Sequence, residues 1–232
     1  MNKTLGIVAV AAAGLAIGGW FMQRGDGGTA TVQMPPLANS AQAQTGSEEI
    51  DTDRVITMAV GDPDAPVTIM EFSSFTCPHC ATFNQGVYRQ LIETYVETGV
   101  ARIEKHEVYF DAFGLWAGLV ARCGGPERYH GITEMLYQHQ RDWSRAQPAA
   151  GQSEAEAVAE ALRRIGRRAG LNNDELTACL EDRDMALAMM EVYRQNAERH
   201  GITSTPSFVI NGKRFGNMSF EDFSDAIAAA QN

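Results

Sequence analysis

Val67-Thr-Ile-Met-Glu-Phe72-Ser-Ser-Phe-Thr-Cys77-Pro-His-Cys80 is the stretch that decides the fold. Its first six residues are β-rich and follow the turn-like Gly61-Asp-Pro-Asp-Ala-Pro66, which predicts a central strand. Beyond the cysteines, Phe83, Val87, Leu91 and Tyr95 recur every four residues down one face of a helix that Gly99 can close. Pro78 suits the first turn, where a missing N–H costs nothing and a fixed φ favours a helix start. Cys77 is thereby placed at the N-cap, where unpaired backbone N–H groups and the positive end of the helix dipole favour a thiolate. Cys80 shares the inward face of Phe83 and Val87, so the pair divides into an exposed attacking thiol and a shielded resolving thiol. A structural zinc site would need a second pair of ligands at metal-like spacing, and neither Cys123 nor Cys179 has a cysteine or histidine close by. A purely structural disulfide is poorly hidden by Pro-His at a helix N-terminus. Redox chemistry is what these residues support, and it needs no metal and no cofactor.

The whole chain bounds the reading. Its 232 residues, 44% hydrophobic and 21% charged, suffice for one sizeable core with an insertion, and exclude a disordered or collagen-like protein. Nineteen basic against 29 acidic residues give a formal net charge of -10, so nucleic acid is not an expected partner. Leu5 to Phe21 is an uncharged apolar run between Lys3 and Arg24, an export signal in type, with a length between a cleaved signal and a membrane span. The Ala41-Gln-Ala43 cleavage-like site lies far beyond the run, which favours retention as a tether through residues 5–21. The expected organisation is a signal peptide or anchor over 1–22, a flexible Gly/Ala/Gln/Ser/Thr/Pro-rich linker over 23–53, and a fold from about Arg54 onward.

A second motif lies near the C-terminus. Phe208-Val-Ile210, Asn211-Gly212 and Lys213-Arg-Phe215 read as a hairpin with a type I′ turn. For Thr205-Pro206 just before it, the residues alone leave cis and trans evenly matched. Together, Glu71-Phe-Ser-Ser-Phe-Thr-Cys77-Pro-His-Cys80 and Gly201-Ile-Thr-Ser-Thr-Pro206-Ser-Phe-Val-Ile-Asn-Gly212 resemble the DsbA family of thiol oxidoreductases, a likeness covering about residues 54 to 232. The resemblance implies an α/β thioredoxin fold, over 54–110 and 201–232, with an inserted all-helical domain over 111–200. It implies that the Cys77/Cys80 disulfide is donated to exported polypeptides with free cysteines and restored by a membrane redox partner. It implies a cis-proline loop at Thr205 and Pro206, a His79 that stabilises the Cys77 thiolate, and a buried acid, Glu71, partnered by Lys105. Read from residues alone, a solvated strand position for Glu71 and an inconsequential exposed histidine for His79 are the lesser alternatives, and the alternation of Ala101 to Phe110 supports Lys105 on the layer of Ile103.

From Asp111 to His200 the pattern is helical. Leu115, Leu119 and Cys123 share one face, Val158, Leu162 and Ile165 another, Met185, Met189 and Val192 a third. Glu154, Glu156 and Glu160 crowd the start of one helix and Arg163, Arg164, Arg167 and Arg168 its finish, with Gly170 to close it, so the arginines complement a dipole. The methionines, Trp116 and Trp143 read as core, and His106, His130, His139 and His200 as surface or packing residues. Cys123 and Cys179, the latter on a helix that Asn172 can cap with Glu175, face inward and fit two buried thiols or one disulfide. Export favours the disulfide, as in a DsbA subgroup with a second bond. The expected activity is a periplasmic dithiol oxidase; a disulfide isomerase or reductase, and a non-catalytic peptide-binding chaperone, are the alternatives.

Overall fold

A computed structural model describes residues 50–231. The expected signal or anchor and the linker up to residue 49 lie outside them. The linker's last residues are not a loose coil: Asp51 accepts from the Asp53 N–H and caps a 3-10 turn over Thr52–Arg54, and Arg54 reaches Asp182 at 2.8 Å. Residues 51–53, expected as linker, thus already form a capped turn next to the boundary at Arg54.

Among the described residues the sheet has the order β1-β3-β2-β4-β5, from Met58–Val60, Val67–Ser73 (β2), Ala101–Glu107 (β3), Ser207–Ile210 (β4) and Lys213–Phe215 (β5). The strand that leads to the cysteines is central: β2 runs parallel to β3 and antiparallel to β4. This register sets Glu71 opposite Lys105 on one side and opposite Phe208 on the other. Asn211 at φ 42° and Gly212 at φ 86° make the two-residue hairpin turn between β4 and β5, where both positions need positive φ. β3 stops at Glu107, three residues short of the expected Phe110, whose ring is exposed.

One face of the sheet, with Val67, Ile69, Ile103, Phe208 and Ile210, packs on α1 (Pro78–Gln85), α2 (Val87–Leu91) and α9 (Phe220–Ala230) through Phe83, Leu91, Phe223 and Ile227. The helix expected to run unbroken past Tyr95 is divided. Gly86 separates α1 from α2, and Ile92–Val96 form a π-helical turn before Gly99 closes at φ 74°. A strict four-residue repeat drifts by about 40° per step on a 3.6-residue helix. A break and a wider turn let all four side chains stay against the sheet.

Between β3 and β4 come α3 (Ala112–Cys123), α4 (Gly125–Gln138), α5 (Gln140–Ser144), α6 (Glu154–Arg168), α7 (Asn173–Glu181) and α8 (Arg183–His200). α3 to α7 enclose a core of Trp116, Tyr129, Tyr137, Trp143, Val158, Leu162 and Leu176 that also takes in Phe75 and Cys80, so the insert and the cysteine turn share one interior. α8 covers the other face of the sheet near Phe72 and Val209 through Tyr193. α6 begins at a Ser153/Glu156 capping box and ends before Gly170 at φ 87°. The expected common face of Leu115, Leu119 and Cys123 splits: the leucines pack on Tyr109 and Met189, while Cys123 turns toward α7. There it is bonded to Cys179, with 5.7 Å between the Cα atoms. Both cysteines are half-buried, because the bond sits at the rim of the insert's core, not within it. The four histidines have packing or surface roles: His106 stacks on Phe72 at 4.9 Å, His200 lies against the same ring, His130 contacts the Ala59 carbonyl at 3.0 Å, and His139 pairs with Asp142.

Candidate active site

β2 delivers the chain to the helix start beside the loop between α8 and β4 that carries Thr205 and Pro206. Cys77 is the N-cap of α1, with extended backbone at φ -80° and ψ 119°, and Pro78 follows in the first turn. Its thiol is half-buried, whereas Cys80, one turn further, is 1% exposed; both are free thiols. The Cys77 thiol is pulled down to about 5. A hydrogen bond with the Cys80 thiol contributes most, burial opposes it, and the Thr205 side chain and the backbone N–H groups of Cys80 and His79 add to the lowering. Cys80 moves far the other way, because its proton is held by Cys77, its surroundings are dry and a neighbouring thiolate repels a second one. The two sulfurs are thus divided into anion and thiol by their placement on one helical turn.

The Thr205–Pro206 peptide is cis, and the Thr205 carbonyl lies 3.5 Å from Cys77 Sγ, where it accepts the S–H of the protonated form. His79 is exposed, and its imidazole has no hydrogen-bond partner among the described residues; what it brings to Cys77 is its backbone N–H. Glu71 and Lys105 are 1% and 3% exposed and pair at 2.5 Å. Burial disfavours the Lys105 ammonium, but Glu71 and Tyr88 together outweigh it and raise the pKa, and the ammonium lies 3.7 Å from the centre of the Tyr88 ring. The second Glu71 oxygen, Oε1, is buried with no hydrogen-bond partner among the described residues. The buried Tyr137 hydroxyl is pushed well up by burial and then by Cys80 and Glu71, which sets these three groups in one electrostatic neighbourhood.

Sequence reasoning missed the ties between this turn and the insert. Asp111, N-cap of α3, accepts from the Gly114 N–H with one oxygen and from the Thr76 hydroxyl with the other at 2.7 Å. Gln140 on α5 donates to the carbonyls of Phe75 and Cys77 at 2.8 and 2.9 Å. Asp111 carries a helix-start signal; Gln140 carries none. Also missed was a buried cluster in which Arg122 binds both oxygens of Glu107, with the Tyr129 hydroxyl on the same carboxylate at 2.9 Å. Among the described residues no group of three or more His, Cys, Asp or Glu could hold a metal ion, and no helix is long and apolar enough to cross a membrane.

Comparison with known proteins bears on the family and the fold. A family profile described as thioredoxin matches residues 53–229. A candidate protein-disulfide oxidoreductase of Rickettsia conorii is 26% identical over 174 residues, 75% of this chain and 60% of that protein. One of Rickettsia felis is 27% identical over 177 residues, 75% and 59%. The chain thus spans about three fifths of the length of these curated relatives. Among solved structures, alpha-DsbA1 of Wolbachia pipientis superposes with a TM-score of 0.67 at 22% identity, over 78% of this chain and 95% of that one. Oxidised BdbD of Bacillus subtilis gives 0.62 at 18%, over 75% and 92%. These two likenesses speak for the fold.

Proposed function

The chain belongs to the thioredoxin family whose profile spans residues 53–229, with the fold seen in DsbA structures, and from that premise we propose that it is a DsbA-like periplasmic oxidase that introduces disulfide bonds into exported polypeptides through Cys77 and Cys80. The observation that carries this reading is the division of the two sulfurs: a half-buried Cys77 with N–H groups turned to it, and a Cys80 sealed in the core.

In the oxidised protein a client thiolate attacks Cys77 Sγ. The Cys77–Cys80 bond breaks, its electron pair goes to Cys80 Sγ, and that sulfur takes up a proton. Glu71, with a buried oxygen in the same neighbourhood that has no hydrogen-bond partner among the described residues, is the group we assign to relay it. A second client thiolate then attacks the client sulfur of the mixed disulfide and expels Cys77 as a thiolate. Two electrons have passed from the client to the Cys77/Cys80 pair, and the client holds the new disulfide. Cys77 leaves readily because its anion is stable, and the same stability favours the reduced form, so the exchange runs toward oxidised client. Beside Cys77, the Thr205 backbone and Pro206 offer an extended client segment a strand to lie against. A membrane redox partner takes the electrons away and restores the disulfide.

Paired assays test the proposal: oxidative refolding of a reduced client, and repair of one with scrambled disulfides. Fast oxidation with weak repair is expected; strong repair with weak oxidation overturns the oxidase assignment in favour of an isomerase. A Cys80→Ser variant should accumulate mixed disulfides through Cys77, and finding none removes the exchange mechanism altogether.

A further inference from the structure

We propose that Gln140, a residue of the helical insert remote from Cys77 in sequence, is a positioning residue for the exchange reaction: its amide grips the turn before α1 and holds Cys77 where its sulfur meets the N–H groups of His79 and Cys80. The inference rests on the exchange reading of the Cys77/Cys80 pair and goes beyond it. Gln140 is 5% exposed, and its one amide nitrogen donates to both the Phe75 and the Cys77 carbonyls at 2.8 and 2.9 Å. An NH2 group has two hydrogens, so the two carbonyls use its donor capacity completely. The Cys77 carbonyl already accepts the Ala81 N–H, the first bond of α1, at 3.2 Å. Fixing that carbonyl therefore fixes the plane from which α1 starts, and with it the direction of the next N–H groups.

The residue type matters as much as the position. Methionine has the same reach and leaves the carbonyls without the donor. A carboxylate would set its lone pairs against theirs, and asparagine is one carbon too short. The amide is itself held, because Trp143 on the same short helix is 1% exposed and its indole N–H donates to the Leu136 carbonyl at 2.8 Å. Asp111 ties the insert to the neighbouring Thr76 hydroxyl, but the side chain that grips the Cys77 carbonyl itself is Gln140, on a helix anchored in the insert's own core.

The test compares wild type with Gln140→Met and Gln140→Asn. It reads the Cys77 thiolate titration by absorbance, the exchange equilibrium with glutathione, and stability by urea unfolding. With Cys77 at about 5 in the wild type, both variants are expected to titrate at least about one unit higher, and to lose about tenfold in oxidising equilibrium at neutral pH. Loss of stability alone, with titration and equilibrium within about twofold of wild type, overturns the positioning role and leaves the exchange reading standing. An ordinary wild-type thiol near 9 overturns the positioning role, and a wild type that fails to exchange with glutathione at all overturns the exchange reading as well. Should neither variant fold, the wild type still decides: the side-chain amide signals of Gln140 should shift with the midpoint of the Cys77 titration, and signals that stay still through it overturn the proposal.

Discussion

Cys77 and Cys80 are the same amino acid three positions apart, and one turn of helix gives them opposite acid–base behaviour. Because Cys77 is depressed to about 5 from an ordinary 9, alkylation of the reduced protein should speed up with pH around a midpoint near 5, and a midpoint near 9 would refute the depression. The stability consequence has a definite sign. The unfolded chain holds the thiol proton up to pH 9 while the folded chain has already released it, so the reduced protein gains stability as pH rises from about 5 to 9. The contribution is complete above 9 and lost as pH falls through 5; the oxidised protein, with no thiol there, should lack this component. Thermal unfolding of both forms across that range measures it. Glu71 and Lys105 call for a different experiment. Glu71→Gln leaves a buried ammonium without its carboxylate and should cost about 3 to 5 kcal/mol. A double change, Glu71→Gln with Lys105→Met, should recover most of that in urea unfolding, yet remain at least about tenfold slower in the step that protonates Cys80. Full recovery of rate would remove Glu71 from the proton path. Cys77 was legible because N-cap, proline and thiol are adjacent in sequence. The Glu71–Lys105 pairing came only through resemblance, since a cross-strand partner is set by register, and Gln140 was invisible because its partners are carbonyls brought to it by tertiary packing.

Elements were read best where a local signal and the packing agree. α6 has its acids at the start, its arginines at the end and a glycine beyond, and it runs within those limits. The α1–α2 region shows the opposite case: the apolar repeat located the buried face, while the break at Gly86 and the π turn arose from keeping that face on a sheet whose position no local pattern encodes. Similarly, the face holding Leu115, Leu119 and Cys123 divides between two neighbours because eight residues of helix rotate by about 80°. The meeting of α6 with α7 was not legible at all. A Cβ at Gly166 would lie 2.4 Å from Leu176 Cδ2, and Leu176 is fully buried, so the side chain has no room to withdraw. Gly166→Ala should therefore destabilise the protein by about 1 to 3 kcal/mol in urea unfolding despite alanine's better helix propensity. A stabilised variant would mean that the two helices separate easily.

At the scale of the molecule, the insert and the sheet are joined through the core that takes in Phe75 and Cys80, and the insert is closed on itself by the Cys123–Cys179 bond. The 56-residue separation between those cysteines encloses α4, α5 and α6, hence Trp143 and Gln140. A cross-link of that span restricts chiefly the unfolded chain, and loop-closure entropy puts its contribution at about 4 kcal/mol. In the folded state the same helices are already held by buried Tyr129, Trp143, Leu162 and Leu176. The bond should thus stabilise the molecule without shaping the active site. Replacing both cysteines by alanine, with the Cys77/Cys80 pair kept oxidised, should lower the urea-unfolding free energy by about 4 kcal/mol. After reduction of that pair, the Cys77 titration should keep its midpoint near 5. A loss below about 1 kcal/mol would show that the unfolded chain is already compact across this span. A shifted Cys77 midpoint would show instead that the bond strains or braces the turn that Gln140 grips, and that the insert acts on the reacting sulfur through its rim as well as its core.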